Sequence, residues 1–436
     1  MISFPTWVTA NAALDYLSGK EDNYYQKDGS LGEWQGKLAE DLGYKTGLLN
    51  EISKESLENA LWGKDAKGEQ LVNARLDADG DRKRAAIDLT FSAPKSVSVA
   101  YELAMASGNR ELANNILSAH EKSVSKILEK VEANLQTRYT LNGEEHKVLS
   151  QGALIGKFNH EVARPVTGED GKAYVDPSLH THAIVMNIAK LENGEYRDIE
   201  TRKIFDKYMD WGQQYRSELA SSMKEAGFDI NVTDSKKGVF EIVLGDKETT
   251  QKLNDEYSKR SEQIDAKVEE LKKQYPNKAE SELRQIAAHQ SREWKGDIDR
   301  EQVLKDNLSR AESLGIDVKK ILTPNKKNIL SPEQQLEKAQ LSLTNALQAI
   351  TDQKSVFAQD EILSVAGKLS LKDGIGLETL EKAMELQAKE KGDNKLVNFK
   401  TELYTTQEII NKEKELLDTR SEEHTSELQS RQVISY

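Results

Sequence analysis

The sequence DPSLHTHAIVM occupies residues 176–186 and places two histidines two positions apart, directly before an apolar run. The apolar residues that follow are β-prone and predict a strand over residues 181–188. Alternate residues of a strand point to one face, so His180 and His182 can offer two imidazole nitrogens to one cation. The alternative is that two of the seven histidines fall two apart by chance.

Other β-prone runs lie on both sides of this stretch, at residues 86–91, 148–158 and 239–244. The apolar spacing of residues 210–226 predicts an amphipathic helix, with Gly227 as its C-terminal stop. Strands and helices follow no regular βαβ repeat. This order predicts an α+β fold with a mainly antiparallel central sheet flanked by helices.

The composition limits the class of protein. The chain has 436 residues, of which 37% are hydrophobic and 31% charged, and it contains no cysteine. This length predicts two or three domains, and the lack of cysteine excludes disulfides and thiolate metal sites. No apolar run is long enough for a membrane span, and no basic residue precedes the first apolar stretch as in a signal peptide. These features predict a cytoplasmic protein without membrane insertion.

The net charge of -13 argues against a protein that coats nucleic acid indiscriminately, because phosphate contacts need cations. A nucleic-acid site in this chain must therefore be a local basic patch. Small basic clusters are present, such as residues 82–84 and 236–237, although each by itself is typical of a solvated surface.

A third histidine, His160, ends the β-prone run at residues 154–158, and an antiparallel neighbour would bring it beside the first two. Three neutral imidazoles leave positions on a metal open for a substrate oxygen. His120, His146 and His289 lie in charged or helical contexts and are predicted to be surface residues.

Asp88 is a carboxylate inside an apolar strand pattern, in the sequence IDLTFSAPKSVS at residues 87–98. A buried carboxylate needs a partner, and a metal-binding histidine commonly donates its second N–H to such a group. The alternative is an aspartate at a sheet edge that faces water.

Several tyrosines lie near the N-terminus, at Tyr16, Tyr24 and Tyr25, before the sequence EWQG at residues 33–36. A tyrosine nucleophile needs a base or a nearby cation, because the reference pKa of the phenol is about 10. By itself such a cluster is also compatible with simple packing.

Together these segments resemble the conjugative DNA relaxases of the TrwC/TraI type, the MobF family of HUH endonucleases. The resemblance covers about the first 300 residues. It rests on the tyrosines, the EWQG sequence, residues 88–98, His160 with Arg164, residues 176–182, YRSELA at residues 215–220, Gly227-Phe228, residues 240–242 and SKRS at residues 258–261.

The resemblance implies the HUH relaxase fold and a site- and strand-specific nickase that cuts and rejoins DNA at a conjugative origin of transfer. A tyrosine attacks the scissile phosphodiester with the help of a divalent cation, Mg²⁺ or Mn²⁺, and a 5′-phosphotyrosine results. The implied roles are Tyr16 as first and Tyr24 as second nucleophile, His160, His180 and His182 as metal ligands, Asp88 as orienting group and accessory base, and Lys95, Arg164 and Tyr25 as DNA contacts.

The implied partners are single-stranded DNA beside a hairpin at the origin, relaxosome accessory proteins and a type IV secretion system, in a bacterial cytoplasm. The chain departs from the family pattern in two places. Leu17 follows Tyr16 where some relatives have a second tyrosine, and residues 167–172 form an insertion that Gly and Asp predict to be a surface hairpin.

We predict three segments along the chain. Residues 1–300 form the relaxase domain, and residues 301–419 form a mainly helical region that begins a helicase domain. Residues 420–436 resemble one reading frame of a sequencing adapter and are predicted to be non-native. The chain has no G-x-x-x-x-G-K-[ST] phosphate loop, so no ATPase activity is expected.

Other functional classes remain open at the level of sequence. One is a rolling-circle replication initiator of the HUH class, which the extended match after His182 disfavours. The others are a non-catalytic, metal-stabilised DNA-binding module and a metal-dependent hydrolase that uses water. A role for Tyr16 in a covalent adduct would separate the relaxase from these last two.

Overall fold

The computed structural model describes residues 1–18, 31–45, 50–168, 170–291, 299–325, 329–400 and 402–433. The strands in this part of the chain are β1 (Thr6–Val8), β2 (Glu33–Gln35), β3 (Ala86–Ser92), β4 (Gln136–Leu141), β5 (Glu144–Leu149), β6 (Ile155–Val162), β7 (Val166–Thr167), β8 (Ala173–Tyr174), β9 (Pro177–Met186), β10 (Ala189–Lys190), β11 (Tyr196–Arg197), β12 (Ile199–Glu200), β13 (Ile230–Asp234), β14 (Val239–Ile242), β15 (Phe357–Ala358), β16 (Leu396–Lys400) and β17 (Leu403–Thr406).

The α-helices are α1 (Ala10–Ser18), α2 (Lys37–Asp41), α3 (Lys54–Leu61), α4 (Lys95–Ala106), α5 (Arg110–Asn134), α6 (Arg202–Glu225), α7 (Lys247–Glu256), α8 (Lys259–Gln274), α9 (Glu280–Gln290), α10 (Arg300–Ser313), α11 (Val318–Ile321), α12 (Pro332–Thr351), α13 (Gln359–Leu369), α14 (Leu377–Lys389) and α15 (Gln407–Val433).

The centre of the fold is a five-stranded sheet in the order β1-β3-β9-β6-β2. Each neighbouring pair of strands is antiparallel. β9 lies in the middle of this sheet, which agrees with the apolar run at its C-terminal half. The predicted α+β fold with a central antiparallel sheet is confirmed.

Side chains of the central sheet alternate between two faces. On β3, Ile87 and Leu89 point into a large core shared with α4, α5 and α6. Ala86 points to the opposite face and joins a smaller core built with α1, α2 and α3. This smaller core covers only one end of its face, and Asp88 and Thr90 lie beyond it. The uncovered end is therefore available for a polar site.

The C-terminal region packs directly against the helices of the central sheet. Residues of α12, α13 and α14 belong to the same large core as those of α5 and α6. Ion pairs add to this contact, because Lys207 of α6 lies 2.7 Å from Asp360 and Lys130 of α5 lies 2.6 Å from Glu381. The region is mainly helical as predicted, and it also contains a small sheet in the order β15-β17-β16 that was not predicted.

The run at residues 148–158, predicted as one strand, is divided between two. β5 ends at Leu149 and pairs with β4 in a separate sheet, whereas β6 begins at Ile155 in the central sheet. Between them Ser150 bonds to the carbonyl of Gly152, where an added Cβ would lie 2.6 Å from Lys37 Cβ. The chain bends at Gln151 and passes from one sheet to the other, a change that hydrophobicity alone does not reveal.

The remaining elements largely follow the predicted pattern. The segment predicted to form a surface hairpin contains β7 and leads into β8, and these two strands pair antiparallel as predicted. The helix predicted over residues 210–226 is present as α6 but starts earlier, at Arg202. Within the described ranges, no helix has both the length and the apolar character that a membrane crossing needs.

Candidate active site and metal centre

Three histidines meet on the uncovered end of the central sheet. His160 of β6 lies opposite His180 of β9 in the strand pairing, and His182 follows two residues later on the same face. Their ring centroids are separated by 5.0 to 5.3 Å. One nitrogen of each ring lies within 4.8 Å of the others. The trio is therefore arranged to bind a single cation.

The hydrogen bonds of two of these rings define their tautomers. Nδ1 of His180 lies 2.7 Å from the carbonyl oxygen of Ser178, which can only accept, so Nδ1 carries the proton. Burial, with a smaller contribution from His182, lowers the pKa of His180 to about 4. The ring is therefore neutral near pH 7, with its lone pair on Nε2 available to a metal.

Asp88 fixes the tautomer of His182, as the carbonyl of Ser178 fixes that of His180. Its Oδ2 lies 2.7 Å from Nδ1 of His182, and its Oδ1 accepts a hydrogen bond of 3.2 Å from the hydroxyl of Thr90. The carboxylate therefore does not face only water, and it holds the proton of His182 on Nδ1. The three residues meet because β3 pairs with β9 so that Thr90 lies opposite His182.

Tyr16 approaches the trio from α1. The helix buries Ala13 and Leu17 in the smaller core and leaves Tyr16 36% exposed. The hydroxyl of Tyr16 lies 3.4 Å from Nε2 of His182. Its ring also contacts His160 edge to face, with 6.0 Å between the centroids. The structure thus brings together Tyr16, Asp88 and the three histidines that were selected from the sequence.

The other predicted site residues are placed less centrally. Lys95, at the start of α4, donates from its ammonium to the carbonyls of Pro177 at 2.9 Å and Tyr257 at 2.8 Å. Arg164 follows β6, is half-buried and makes no ion pair or hydrogen bond within the described residues. Tyr24 and Tyr25 lie outside the described residues.

His120 was predicted to be a surface residue, and this prediction is wrong. Its side chain is fully buried on α5. It lies behind the central sheet and bonds to Thr181, the residue between two of the clustered histidines. The sequence contains a signal for this position, because Ile116 and Val124 lie one helical turn before and after His120 on the apolar stripe of α5.

Comparisons with known proteins identify relatives of this chain. Residues 10–314 match the family model described as TrwC relaxase. The chain is 28% identical over 398 residues to the multifunctional conjugation protein TraI of Escherichia coli (strain K12), and the match covers 86% of this chain and 20% of TraI. The chain thus spans about a fifth of the length of this curated relative.

Solved structures of the conjugative relaxase TrwC are similar as well. The metal-bound TrwC complex with OriT DNA is 31% identical and covers 73% of this chain and 100% of the TrwC chain, with a TM-score of 0.57. TrwC complexed with a 27-mer DNA, which comprises the recognition hairpin and the cleavage site, is 30% identical at the same coverage and TM-score. Since the family match spans more than half of the sequence, the chain belongs to the TrwC relaxase family.

Proposed function

We propose that this chain nicks and rejoins one strand of DNA at a conjugative origin of transfer, by a tyrosine transesterification that depends on a divalent metal. One observation carries this proposal: the hydroxyl of Tyr16 lies 3.4 Å from Nε2 of His182, at the edge of a three-histidine cluster. A nucleophile beside a cation site is the arrangement that an attack on a phosphodiester requires.

The substrate that we propose is DNA of the transfer origin, with a hairpin beside the cleavage site. Support comes from TrwC, which was solved with OriT DNA and with a 27-mer that comprises both features. Relaxosome accessory proteins and a type IV secretion system complete the set of proposed partners, on the strength of the family alone.

The residues of the site fit a divalent cation. His160, His180 and His182 would hold it. The tautomers of His180 and His182 place the proton on Nδ1, so the lone pair on Nε2 is the one that would coordinate, and at His182 this lone pair also faces the hydroxyl of Tyr16. When bound, the cation supplies Lewis-acid polarisation of a phosphate oxygen. Of the two proposed ions, Mn²⁺ suits an all-imidazole donor set better than Mg²⁺, which prefers oxygen ligands.

The chain's own residues supply the nucleophile and its orientation. The oxygen of Tyr16 forms a bond to phosphorus as the bond from phosphorus to the 3′ oxygen breaks. The phenol proton ends on the departing 3′ oxygen, so a 5′-phosphotyrosine and a free 3′-hydroxyl result. One phosphodiester replaces another, and the step therefore needs no ATP. Asp88 orients His182 throughout by holding its Nδ1 proton.

The remaining site assignments are part of the same proposal. Tyr24 is the second nucleophile and Tyr25 a DNA contact, although both lie outside the described residues. Arg164 is a phosphate contact, and its lack of an ion-pair partner within the described part of the chain supports that role. Lys95 is the second phosphate contact, in competition with its two carbonyl partners.

We further propose that the relaxase unit extends through α10, beyond the predicted boundary at residue 300. Arg300 at the start of α10 donates two hydrogen bonds to the buried carboxylate of Glu102 on α4, one of them 2.6 Å long. The family match, which ends at residue 314, supports the same boundary. The following helical region would then begin a helicase domain.

The deciding experiment compares the wild type with Tyr16→Phe on single-stranded origin oligonucleotides, with and without Mn²⁺. Denaturing electrophoresis resolves the covalent protein–DNA adduct, and fluorescence anisotropy measures binding. We expect the wild type to form an adduct only with metal, and Tyr16→Phe to form none while it still binds DNA. Tyr275→Phe, at a tyrosine 46% exposed at the end of α8, is the matched control.

Three outcomes would count against the proposal. Cleaved DNA without any adduct would favour a hydrolase that uses water. Binding without cleavage by the wild type would favour a non-catalytic module. Adduct formation on a replication origin but on no transfer origin would favour a rolling-circle initiator.

A further inference from the structure

A chain of buried polar groups runs behind the strand that carries two of the clustered histidines. His120 of α5 is fully buried. Its Nδ1 lies 2.8 Å from the hydroxyl of Tyr215 on α6, and its Nε2 lies 2.8 Å from the hydroxyl of Thr181 on β9. Thr181 is 1% exposed and Tyr215 is fully buried, so water cannot replace these bonds.

The chain continues across the sheet to a second strand. The hydroxyl of Thr181 donates to Oδ1 of Asn159 at 2.6 Å. The amide nitrogen of Asn159 donates in turn to the carboxylate of Glu121 on α5, also at 2.6 Å. The path therefore starts on α6, crosses β9 and β6, and returns to α5.

The donor and the acceptor of every hydrogen bond in this series of buried polar groups can be deduced. An amide oxygen only accepts, so the proton of Thr181 is directed to Asn159. The oxygen of Thr181 must then accept from Nε2–H of His120, whose Nδ1 accepts from the hydroxyl of Tyr215. Burial lowers the pKa of His120 to about 3, so the ring stays neutral and keeps this single tautomer.

The position of this chain in the sheet links it to the metal centre. Thr181 lies between His180 and His182 on β9, and Asn159 directly precedes His160 on β6. Thr181 and Asn159 are paired in the register, next to the pair of His160 and His180. Successive side chains of a strand alternate between the two faces of the sheet. The hydrogen-bonded polar groups therefore connect β6 and β9 on one face, whereas the three imidazoles project from the other face.

We propose that His120, Thr181 and Tyr215 are positioning residues, which fix the relative placement of β6 and β9 and thereby set the affinity of the three-histidine site for its cation. This inference rests on the proposed function, because it assumes that the cluster binds metal. The side chains of all three residues are buried on the face of the sheet opposite the imidazoles. Their effect passes through the backbones of the two strands that carry the ligands.

The alternative role is general stability without any effect on the metal. A buried hydroxyl with two hydrogen bonds contributes to folding wherever it lies. The two roles differ in one respect, since a purely structural bond changes the unfolding temperature of the metal-free protein but leaves the metal affinity of the folded protein unchanged. The test therefore has to measure both quantities in the same variants.

Thr181 offers a matched pair of substitutions. Thr181→Val keeps the shape and removes the hydroxyl, whereas Thr181→Ser keeps the hydroxyl. The control is Thr250→Val on α7, because Thr250 is also buried and its hydroxyl also makes two hydrogen bonds, to Leu244 and Asp246. A second variant, His120→Leu, interrupts the same chain one step earlier.

Mn²⁺ affinity is measured by isothermal titration calorimetry without DNA, and the unfolding temperature by calorimetry without metal. We expect Thr181→Val and His120→Leu to weaken Mn²⁺ affinity by about tenfold, the size of effect typical of groups that orient metal ligands. Thr181→Ser should retain the affinity of the wild type. Thr250→Val should lower the unfolding temperature and leave the affinity unchanged.

The results separate this inference from the proposed function. Wild-type Mn²⁺ affinity in folded Thr181→Val, or an equal loss in Thr250→Val, would overturn the inference even if the wild type forms the covalent adduct. If the variants show the expected order of Mn²⁺ affinities but the wild type forms no covalent adduct with DNA, the inference stands and the proposed function is overturned. A wild type that binds no Mn²⁺ would overturn both.

Discussion

Asp88 and His182, which are 94 positions apart in the sequence, share a hydrogen bond of 2.7 Å between Oδ2 and Nδ1. A carboxylate accepts this bond, so the imidazole keeps its proton on Nδ1 and directs the Nε2 lone pair toward Tyr16 and the other histidines. One strand pairing, of β3 with β9, therefore orients a metal ligand and places it beside the nucleophile.

Removal of the charge on Asp88 should weaken the metal site. Asp88→Asn keeps an acceptor for Nδ1–H but loses the negative charge of the carboxylate, so it orients the ring less strongly. We expect Mn²⁺ affinity to fall by about tenfold or more, and adduct formation to fall at limiting metal. Calorimetric titration measures the affinity, with Asp206→Asn on the exposed surface of α6 as the control. Equal affinities in the two variants would contradict an orienting role for Asp88.

A tyrosine introduced at position 17 should not act as a nucleophile. Leu17 is 6% exposed and points into the smaller core, whereas Tyr16 points to the histidines. We expect the double variant Tyr16→Phe with Leu17→Tyr to form no adduct, and Leu17→Tyr alone to lose about 1 to 3 kcal/mol of stability through overpacking. Electrophoresis and urea unfolding measure the two effects. Restored adduct in the double variant would show that α1 can rotate.

Arg164 and Lys95 should differ in their response to substitution. Arg164 has no ion-pair partner within the described residues, so Arg164→Ala should weaken DNA binding and reduce the slope of log K against log salt by about one. Lys95→Met should weaken DNA binding as well and should in addition reduce stability, because the ammonium bonds to two backbone carbonyls. Anisotropy titrations at several salt concentrations give the slope. A flat salt response of the wild type would argue against a phosphate-tracking groove.

The stability of the metal-free protein should fall as the pH falls below neutrality. Burial lowers the pKa of His120 from 6.5 to about 3, with smaller contributions from the N-terminal amine and His180. Between these values the unfolded chain binds a proton that the folded chain does not. The contribution of neutral His120 to the free energy of unfolding is thus fully present above pH 6.5. It is lost as the pH falls from 6.5 toward the folded-state pKa of about 3, by up to about 1.4 kcal/mol per pH unit.

Urea unfolding at about pH 7 and about pH 5 measures this loss for the wild type and His120→Leu. The variant lacks the titrating ring and should show the shallower dependence on pH. His180, whose pKa is lowered to about 4, contributes with the same sign and remains in both proteins. Identical pH dependences of the two proteins would show that His120 is protonated as readily in the folded as in the unfolded chain.

The sequence alone predicted which neighbouring side chains share a face of a strand. Two histidines at positions i and i+2 of a strand share a face whatever the strand packs against, so the pair at residues 180 and 182 was predictable from spacing alone. The α+β class followed in the same way from runs of apolar residues. The single strand predicted at residues 148–158 was wrong because apolarity does not encode the passage of the chain from one sheet to another between Leu149 and Ile155.

Contacts between distant residues depended on the packing of whole elements. Tyr16 and His182 are 166 positions apart, and their approach follows from the way α1 buries Ala13 and Leu17 against the sheet. His120 illustrates the same limit, since its polar side chain was predicted at the surface but is satisfied by partners on two other elements. Spacing along a chain determines which face a residue shares with its neighbours, whereas the partners across that face are set by strand register and helix packing.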